Sequence, residues 1–267
     1  MSESDFRELV WAEGRTLYRD MPWRDTPSFY NVLVSEIMLQ QTQVSRVLVK
    51  FAEFMERFPT IESLAKAPLA DILGVWSGLG YNRRARFLHE AAKVVAKDGE
   101  PTDLSGLVHL PGVGTNTAGA IMNYVYEAPT VFVETNIRTV YLYHFFPNEV
   151  DVSDSVLKDL VARTIDTEHP RQWFWALMDY GSYLKAQGNG RLSQSKHYKK
   201  QAPLAGSVRQ MRGRIIRQLT ARSLSQSSLY EAVQGDGRFT PALDGLIRDG
   251  LVEKAGKQYR LVGFIPS

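Results

Sequence analysis

The sequence predicts a mainly α-helical chain that ends in a small α+β segment. The first observation is a series of amphipathic segments, joined by short loops, whose apolar residues recur at helical spacing. The second is a change after about residue 206, where three short amphipathic segments precede two strand-like ones. With 267 residues, of which 44% are hydrophobic, the chain has enough apolar surface for a substantial core.

Apolar periodicity and helix breakers define the helices in order. The longest periodic segment runs from Val32 to Phe54 and meets no breaker before Pro59. Two short helices follow, in "TIESLAKAP" and "LADILGVWSGLG", and a longer one ends at Gly99. The pattern then predicts a helix over 116–126, an extended segment that becomes helical near Thr135, and helices in "DSVLKDLVARTID" and "PRQWFWALMDYGSYLK".

A break in composition lies at about 186–206. This stretch is polar, basic and rich in loop-forming residues, which predicts a linker or an exposed loop. The three helices after it and the hairpin-like "EKAGKQYRLVG" come in the order of a winged helix-turn-helix, a family that "ALDGLIRDGLVEKAGKQYRL" also resembles. Some winged helices bind DNA, and others bind proteins. Both kinds of partner therefore stay open for this segment, and DNA is the favoured one.

Positive charge is concentrated in one part of the chain. The formal net charge is only +3. Between residues 191 and 222, however, the chain has no acidic residue, which predicts a polyanionic partner. The alternative is a solvated linker and helix face. The basic residues of this block are Arg191, Lys196, Lys199, Lys200, Arg209, Arg212, Arg214, Arg217 and Arg222.

Composition excludes several classes of protein. The chain has no cysteine, so it forms no disulfide and has no thiolate metal site or cysteine nucleophile. No run of about 18 apolar residues predicts a membrane span, and the polar N-terminal segment does not have the pattern of a signal peptide. The histidines lack metal-ligand spacing, so we expect no metal site. We expect a cytoplasmic protein, associated with the nucleoid if it is bacterial.

The stretch "LPGVGTNTAGAI", residues 110–121, contains a glycine-rich turn that opens a helix. Gly112 and Gly114 allow close approach of the backbone to a phosphate, because no Cβ intervenes. Consecutive N–H groups at a helix N-terminus bind an anion without a preceding strand. The alternative is an ordinary helix C-cap and turn. The order of residues is that of a helix-hairpin-helix, which binds the DNA backbone without reading sequence.

Four segments together resemble one family. They are "MPWRDTPSFYNVLVSEIMLQQTQV", "WSGLGYNRRARFLHEAA", "LPGVGTNTAGAI" and "ETNIRTV". Their order and spacing, over roughly residues 5–200, are similar to those of the helix-hairpin-helix DNA glycosylases, and most similar to the adenine-mismatch, MutY-type branch. The resemblance implies an all-α two-lobed helix-hairpin-helix glycosylase fold: a helical barrel over 25–127 and a second lobe from 1–24 and 128–200. The winged-helix-like segment then covers 207–267.

Such enzymes flip a base out of the duplex and cut its bond to the sugar. One protonated carboxyl serves the leaving base and one ionised carboxylate stabilises the cationic sugar. Glu36 lies in "VLVSEIML", where partial desolvation favours the protonated donor form. The resemblance implies the same role; the alternative is an exposed glutamate on an amphipathic helix.

Glu134 falls where the family has its catalytic aspartate, and Asn136 matches an asparagine that orients that carboxylate. The longer side chain keeps the charge, but a misplacement of about 1 Å costs on the order of a hundredfold in rate. A shifted backbone, a different substrate and a weak or inactive site are the three open outcomes. A helix-start acid favoured by the helix dipole is the alternative reading.

Asn116 stands where bifunctional members have a lysine. An amide forms no Schiff base, so the resemblance implies base removal without strand cleavage. The alternative is that Asn116 only starts a helix.

Further residues match DNA contacts of the family. Gln40 and Tyr81 match wedges that enter the base stack, unless they are packed in the core, and Gln40 is expected on the same helix face as Glu36. Arg83, Arg84 and Arg86 follow Tyr81 and are candidates for binding phosphate, although at least one of them is expected to be only solvated. Gly112, Gly114 and Thr117 are expected to form the hairpin contact with the strand.

The chain also departs from the family. The four cysteine ligands of its iron–sulfur cluster fall on Lys185, Leu192, Ser195 and Gln201, so we expect no cluster and a loop held by packing or hydrogen bonds. Asn82 looks more like the mismatch-thymine branch. The resemblance also implies a monovalent cation on the hairpin carbonyls, and we expect a monomer.

The sequence therefore predicts a monofunctional DNA glycosylase that acts on double-stranded DNA with a mismatch or lesion. Adenine opposite guanine or 8-oxoguanine is the favoured substrate. Mismatched thymine or uracil, or a damaged pyrimidine, is the first alternative. A non-catalytic DNA-binding or regulatory protein on a decayed glycosylase fold is the second, favoured by Glu134 and by the absence of cysteine ligands.

Overall fold

The computed structural model describes residues 1–196 and 202–264. The predicted mainly helical fold is confirmed: the described residues form fifteen α-helices, one short 3-10 helix and a three-stranded sheet near the C-terminus. No helix among these residues has the length and apolar character needed to cross a membrane.

The helices before residue 200 follow one another through short loops. They are α1 Glu3–Leu17, α2 Pro22–Asp25, α3 Phe29–Leu39, α4 Val44–Arg57, α5 Ile61–Lys66, α6 Leu69–Trp76, α7 Arg83–Asp98, α8 Leu104–His109, α9 Thr115–Tyr124, α10 Thr135–Phe145, α11 Asp154–Thr164 and α12 Pro170–Ala186, with the 3-10 helix at Leu192–Gln194.

The C-terminal segment has the predicted order of three helices and a hairpin. Its elements are α13 Val208–Ala221, β1 Leu224–Ser225, α14 Gln226–Ala232, α15 Phe239–Arg248, β2 Val252–Ala255 and β3 Gln258–Leu261. The antiparallel sheet has the order β1-β3-β2, with Val252 opposite Leu261, and Gly256 turns the hairpin at φ 63°. Strand β1 was not predicted, because two residues carry no periodic signal.

The described residues form two compact units. Unit 1 contains Met1–Val32, Pro101–His109 and the described part of Val113–Lys200. Unit 2 contains Leu33–Glu100, Leu110–Gly112 and the described part of Gln201–Ser267. The predicted domain boundaries stay a prediction.

Unit 1 is built on α12, against which α1 and α10 pack. Its core includes the fully buried side chains of Phe6, Tyr141 and Trp173. Asp179 of α12 is also fully buried, and its carboxylate accepts hydrogen bonds from the guanidinium groups of Arg19 and Arg24, both at 2.7 Å. A buried charge is tolerated only when it is paired in this way.

Unit 2 contains the helices α4, α5, α6 and α7 together with the C-terminal segment. Helix α13 packs against α6, and the methyl group of Thr220 lies 3.3 Å from the position that a Cβ of Gly74 would occupy. Trp76, Leu88 and Ile215 are fully buried in this unit. The C-terminal segment is therefore part of one compact unit with residues 33–100.

Several arginines of the basic block form hydrogen bonds with other residues of the protein. Arg212 donates to the carboxylate of Asp249 at 2.5 Å, and Arg214 donates to the carbonyl oxygen of Val233 at 3.3 Å. Arg217 and Arg222 are exposed. Lys199 and Lys200 lie outside the described residues. The predicted polyanion contact thus has fewer available cations than the sequence indicates.

Candidate active site and DNA-contact residues

Glu36 lies on α3, near the C-terminal end of that helix. Its side chain is half-buried, and its neighbours Ser35 and Ile37 are buried, at 1% and 0% exposure. Glu36 thus lies on a largely buried part of α3 and keeps some access to solvent, and the apolar setting of its carboxyl stays a prediction.

The predicted helix from Val32 to Phe54 is interrupted. Helix α3 ends at Leu39, Gln41 has a left-handed backbone with φ 61°, and α4 begins only at Val44. Gln40 is therefore the first residue after α3, and a helix face shared with Glu36 stays a prediction. No glycine or proline marks this break, so its cause is tertiary.

Arg84, a residue that the sequence grouped with candidate phosphate-binding arginines, contacts the end of α3. Its guanidinium is buried and donates to the carbonyl oxygens of Ile37 at 2.8 Å and Met38 at 2.9 Å, and also to that of Gln40. These are carbonyls that the end of a helix leaves without partners. Arg84 thus stabilises the end of α3 and is unavailable to phosphate.

Arg84 also stabilises the turn that precedes α7. It donates to the carbonyl oxygens of Leu79 at 3.3 Å and Gly80 at 3.1 Å, and to the hydroxyl of Thr42 at 2.9 Å. Burial lowers the pKa of Arg84 to about 10, which still leaves it charged at neutral pH. We call Arg84 and these acceptors the Arg84 clasp.

Gln40, at the edge of the Arg84 clasp, contacts the glycine-rich turn. Its side-chain amide donates to the carbonyl oxygen of Gly112 at 3.2 Å. Gly112 has φ 79°, and a Cβ there would lie 2.8 Å from the Cβ of Phe87. Glycine is therefore required at 112 by the backbone conformation and by the packing of Phe87.

Gly114 has a different role from Gly112. It is the N-cap of α9 with φ −87°, and a Cβ there would meet no atom within 4 Å. Any residue fits its backbone, so the open space beside it is the feature that suits a phosphate at the start of α9. Thr117 is only 9% exposed, which leaves little of its side chain for such a contact.

Tyr81 follows the turn and has an unusual backbone for a non-glycine residue, with φ 46°. The guanidinium of Arg84 lies 5.5 Å from the centre of its half-buried ring, and that of Arg209 lies 5.2 Å from it. Arg83, by contrast, is 59% exposed and lies 3.7 Å from the carboxylate of Asp249. Of the three arginines after Tyr81, Arg83 has the accessibility that a phosphate contact needs.

In unit 1, Asn116 fixes the backbone that leads to Glu134. Its side-chain amide donates to the carbonyl oxygen of Val133 at 2.8 Å, although Asn116 itself is exposed. Glu134 is the N-cap of α10, and its Oε1 accepts from the backbone N–H of Asn136 at 2.6 Å. The backbone N–H of Asn136 thus orients the carboxylate.

The second carboxylate oxygen of Glu134 is not needed for the cap. Nearby, Asn136 Oδ1 is buried and has no hydrogen-bond partner among the described residues. Lys185, which aligns with one of the cysteine ligands of the family, interacts electrostatically with Glu134. Burial lowers the pKa of Lys185, and the charge of Glu134 opposes part of that shift.

The positions aligned with iron–sulfur ligands do not suit a cluster. Lys185, Leu192 and Ser195 have no thiolate, and Gln201 lies outside the described residues. Hydrogen bonds hold this loop instead. Val152 pairs with Ser195 as an isolated bridge, and the side chain of Gln194 donates to the carbonyl oxygens of residues 146, 147 and 149 at 3.2, 3.5 and 2.9 Å. Among the described residues, no group of acidic or histidine side chains suits a metal ion.

Comparison with known proteins identifies the class. Residues 34–163 match the model of the HhH-GPD superfamily of base excision DNA repair proteins. A thermostable thymine-DNA glycosylase has the same fold with a TM-score of 0.58 and 26% identity, covering 67% of this chain and 87% of that one. A non-covalent endonuclease III–DNA complex gives 0.58 with 18% identity, covering 70% and 89%. The chain belongs to this superfamily.

Sequence relatives narrow the assignment further. An adenine DNA glycosylase of Mycolicibacterium smegmatis is 35% identical and covers 98% of this chain, which spans 97% of it. Relatives with the same name from Mycobacterium tuberculosis H37Rv and from the Buchnera of Baizongia pistaciae are 44% and 32% identical over 51% and 64% of the chain. The chain spans about half the length of these two. The protein is a member of the adenine DNA glycosylase family.

Proposed function

We propose that this protein removes adenine opposite guanine or 8-oxoguanine in double-stranded DNA by hydrolysing the N-glycosidic bond. The observation that carries the proposal is Glu134, a carboxylate held in one orientation by the start of α10 in a chain that belongs to the adenine DNA glycosylase family. Fixing the carboxylate limits the freedom of its extra methylene and favours an active site over a decayed one.

The proposed chemistry divides between two carboxyl groups. Glu36 gives its proton to the leaving base, which takes the electron pair of the breaking carbon–nitrogen bond. The ionised Glu134 stabilises the cationic sugar until a water adds to the sugar carbon and releases a proton. Asn136 Oδ1, a buried acceptor without a protein partner among the described residues, supports a role in orienting that water.

Asn116 takes no covalent part in this scheme. Its amide is not a nucleophile for a Schiff base, and its bond to Val133 supports a role in holding the segment before Glu134. The product is then an abasic site in an intact strand. Because Lys185 interacts with Glu134, a Lys185→Ala variant tests whether this lysine contributes any strand cleavage.

We also propose the DNA contacts. Gln40 and Tyr81 act at the base stack, and Arg83 binds a phosphate. The turn from Gly112 to Gly114 and the start of α9, where Thr117 lies, contact the backbone of one DNA strand. The carbonyl of Gly112 already accepts from Gln40, so a monovalent cation at the hairpin would share this acceptor. The enzyme works as a monomer in the cytoplasm without an iron–sulfur cluster.

The test uses end-labelled duplexes that contain A:G, A:8-oxoG, T:G or U:G, followed by alkali. The proposal expects cleavage of the A:G and A:8-oxoG strands only after alkali. Glu134→Gln, which keeps size but removes the charge, is expected to reduce single-turnover excision at least about a hundredfold. Glu127→Gln, a change at the carboxylate that pairs with Arg171, is the control and is expected to remain active.

Other outcomes select the alternatives. Excision at T:G or U:G would favour the mismatch-thymine reading, for which Asn82 and the 26% identity to a thymine-DNA glycosylase are the supporting observations. Tight binding with no excision on any duplex would favour the non-catalytic DNA-binding protein. Full activity of Glu134→Gln would remove that residue from the mechanism.

A further inference from the structure

Tyr81 has an energetically unfavourable backbone that its surroundings maintain. A non-glycine residue at φ 46° is less stable than one in the ordinary helical region. Such outliers persist where neighbouring groups over-determine them, and they are frequent at functional sites. One neighbour of the ring is Arg84, which belongs to the buried Arg84 clasp.

A second neighbour of the ring comes from the C-terminal segment. Arg209, in the first turn of α13, donates to the hydroxyl of Tyr81 at 2.5 Å, and its guanidinium also lies 5.2 Å from the ring centre. One residue thus holds both the polar end and the aromatic face of Tyr81. Its second terminal nitrogen donates to the carbonyl oxygen of Ala202 at 3.1 Å, which limits the freedom of the guanidinium.

The helix that carries Arg209, α13, is capped and anchored in the core of unit 2. Ser207 caps α13 by accepting from the N–H of Gln210, and Met211 and Ile215 on the same helix are fully buried in unit 2. A guanidinium on such a helix has a fixed origin, so its two contacts constrain Tyr81 more than a loop residue would.

We propose that Arg209 is a positioning residue for mismatch recognition, because it holds Tyr81 in the strained conformation in which its ring meets the base stack. This inference rests on the proposed function, in which Tyr81 acts at that stack. The C-terminal segment then contributes to discrimination between mismatched and matched DNA without itself reading a base.

The physical effect of losing Arg209 is specific. Tyr81 would lose a charge-assisted hydrogen bond and one of two cations against its ring. The strained backbone would then relax towards negative φ and move the ring away from its place beside Arg84. General DNA affinity depends on phosphate contacts and would change little, whereas discrimination would fall.

The experiment uses the full-length chain with wild type, Arg209→Ala, Arg209→Lys, Tyr81→Phe, Tyr81→Ala and Arg217→Ala. Arg217 is an exposed arginine of the same helix, so it controls for the loss of one positive charge. For each variant, the dissociation constants for A:8-oxoG and matched duplexes, the single-turnover excision rate and the thermal midpoint are measured.

We expect Arg209→Ala to lower the ratio of mismatched to matched affinity by about tenfold, with an unchanged matched-duplex affinity and a thermal midpoint that falls by only a few degrees. Arg209→Lys should recover part of the loss, since lysine keeps a donor and a charge. Combining Arg209→Ala with Tyr81→Phe should cost less than the sum of the single changes, because both remove the same hydrogen bond.

Three results would overturn the inference. If Tyr81→Ala loses discrimination but Arg209→Ala does not, Tyr81 acts without Arg209 and the proposed function stands. If Arg209→Ala improves discrimination or rate, the contact restrains Tyr81 instead of positioning it. If wild type neither excises nor prefers a mismatch, the proposed function itself fails, and the role of Arg209 fails with it.

Discussion

Replacing Arg84 by methionine should strongly destabilise unit 2. Methionine keeps a flexible apolar chain beside Trp76 but removes every donor of the Arg84 clasp. Three of its hydrogen bonds, to the carbonyl oxygens of Ile37, Met38 and Leu79, are buried. A buried acceptor left without a donor costs about 1–3 kcal/mol, and the released cost of burying the guanidinium offsets part of the total.

The expected loss in free energy of unfolding is therefore about 3–5 kcal/mol, a large share of the roughly 5–15 kcal/mol that stabilises an ordinary domain. Urea denaturation followed by circular dichroism measures it. Hydrogen exchange should also show faster opening of amides at the end of α3 and in the turn 78–81.

Two further variants make the result specific. Arg84→Lys keeps the charge but not the planar fork of donors, so it should be intermediate. Arg57→Met removes a surface arginine that pairs with Asp71, with 62% and 43% of their side chains exposed, and should change stability by less than about 0.5 kcal/mol. A loss below about 1 kcal/mol for Arg84→Met would refute the reasoning that these bonds determine the break between α3 and α4.

Three other variants test separate features. Gly112→Ala should lower the free energy of unfolding, measured in urea, by about 2–4 kcal/mol, because of the positive φ and the contact with Phe87. Gly114→Ala should leave the free energy of unfolding unchanged and weaken DNA binding in a titration. Burial lowers the pKa of His144 to about 4, below its unfolded value of 6.5. Its stabilising contribution is full above pH 6.5 and falls towards pH 4, so His144→Gln should flatten that part of the stability–pH curve. Gln194→Ala should speed proteolysis of the loop that it holds, relative to wild type.

The sequence predicted most helices because their limits are local. Gly99 ends α7 with φ 90°, as its position after an amphipathic stretch indicated. Thr135 starts α10 as expected, with Glu134 as its cap. The C-terminal hairpin follows from Gly256 between strand-like residues. In each case the signal and the structure lie within a few residues of each other.

The parts that sequence reasoning missed depend on distant contacts. The break after Leu39 has no local signal, because its carbonyl acceptors are satisfied by Arg84. For the same reason the pattern could not distinguish buried Arg84 from exposed Arg83. The contact of Arg209 with Tyr81 spans 128 positions, which no periodicity reports. The roles of the predicted site residues stay predictions until activity is measured.

The packing of α13 against α6 has a consequence for handling the protein. A single backbone cut in the exposed stretch 202–206 would leave the C-terminal piece bound, because the contact of α13 with α6 lies within one compact unit. The two pieces would co-elute from a sizing column under native conditions and separate only in denaturant. Deletion of the same piece from the gene would instead expose the apolar surface of α6 that α13 covers, and we expect the truncated protein to be insoluble.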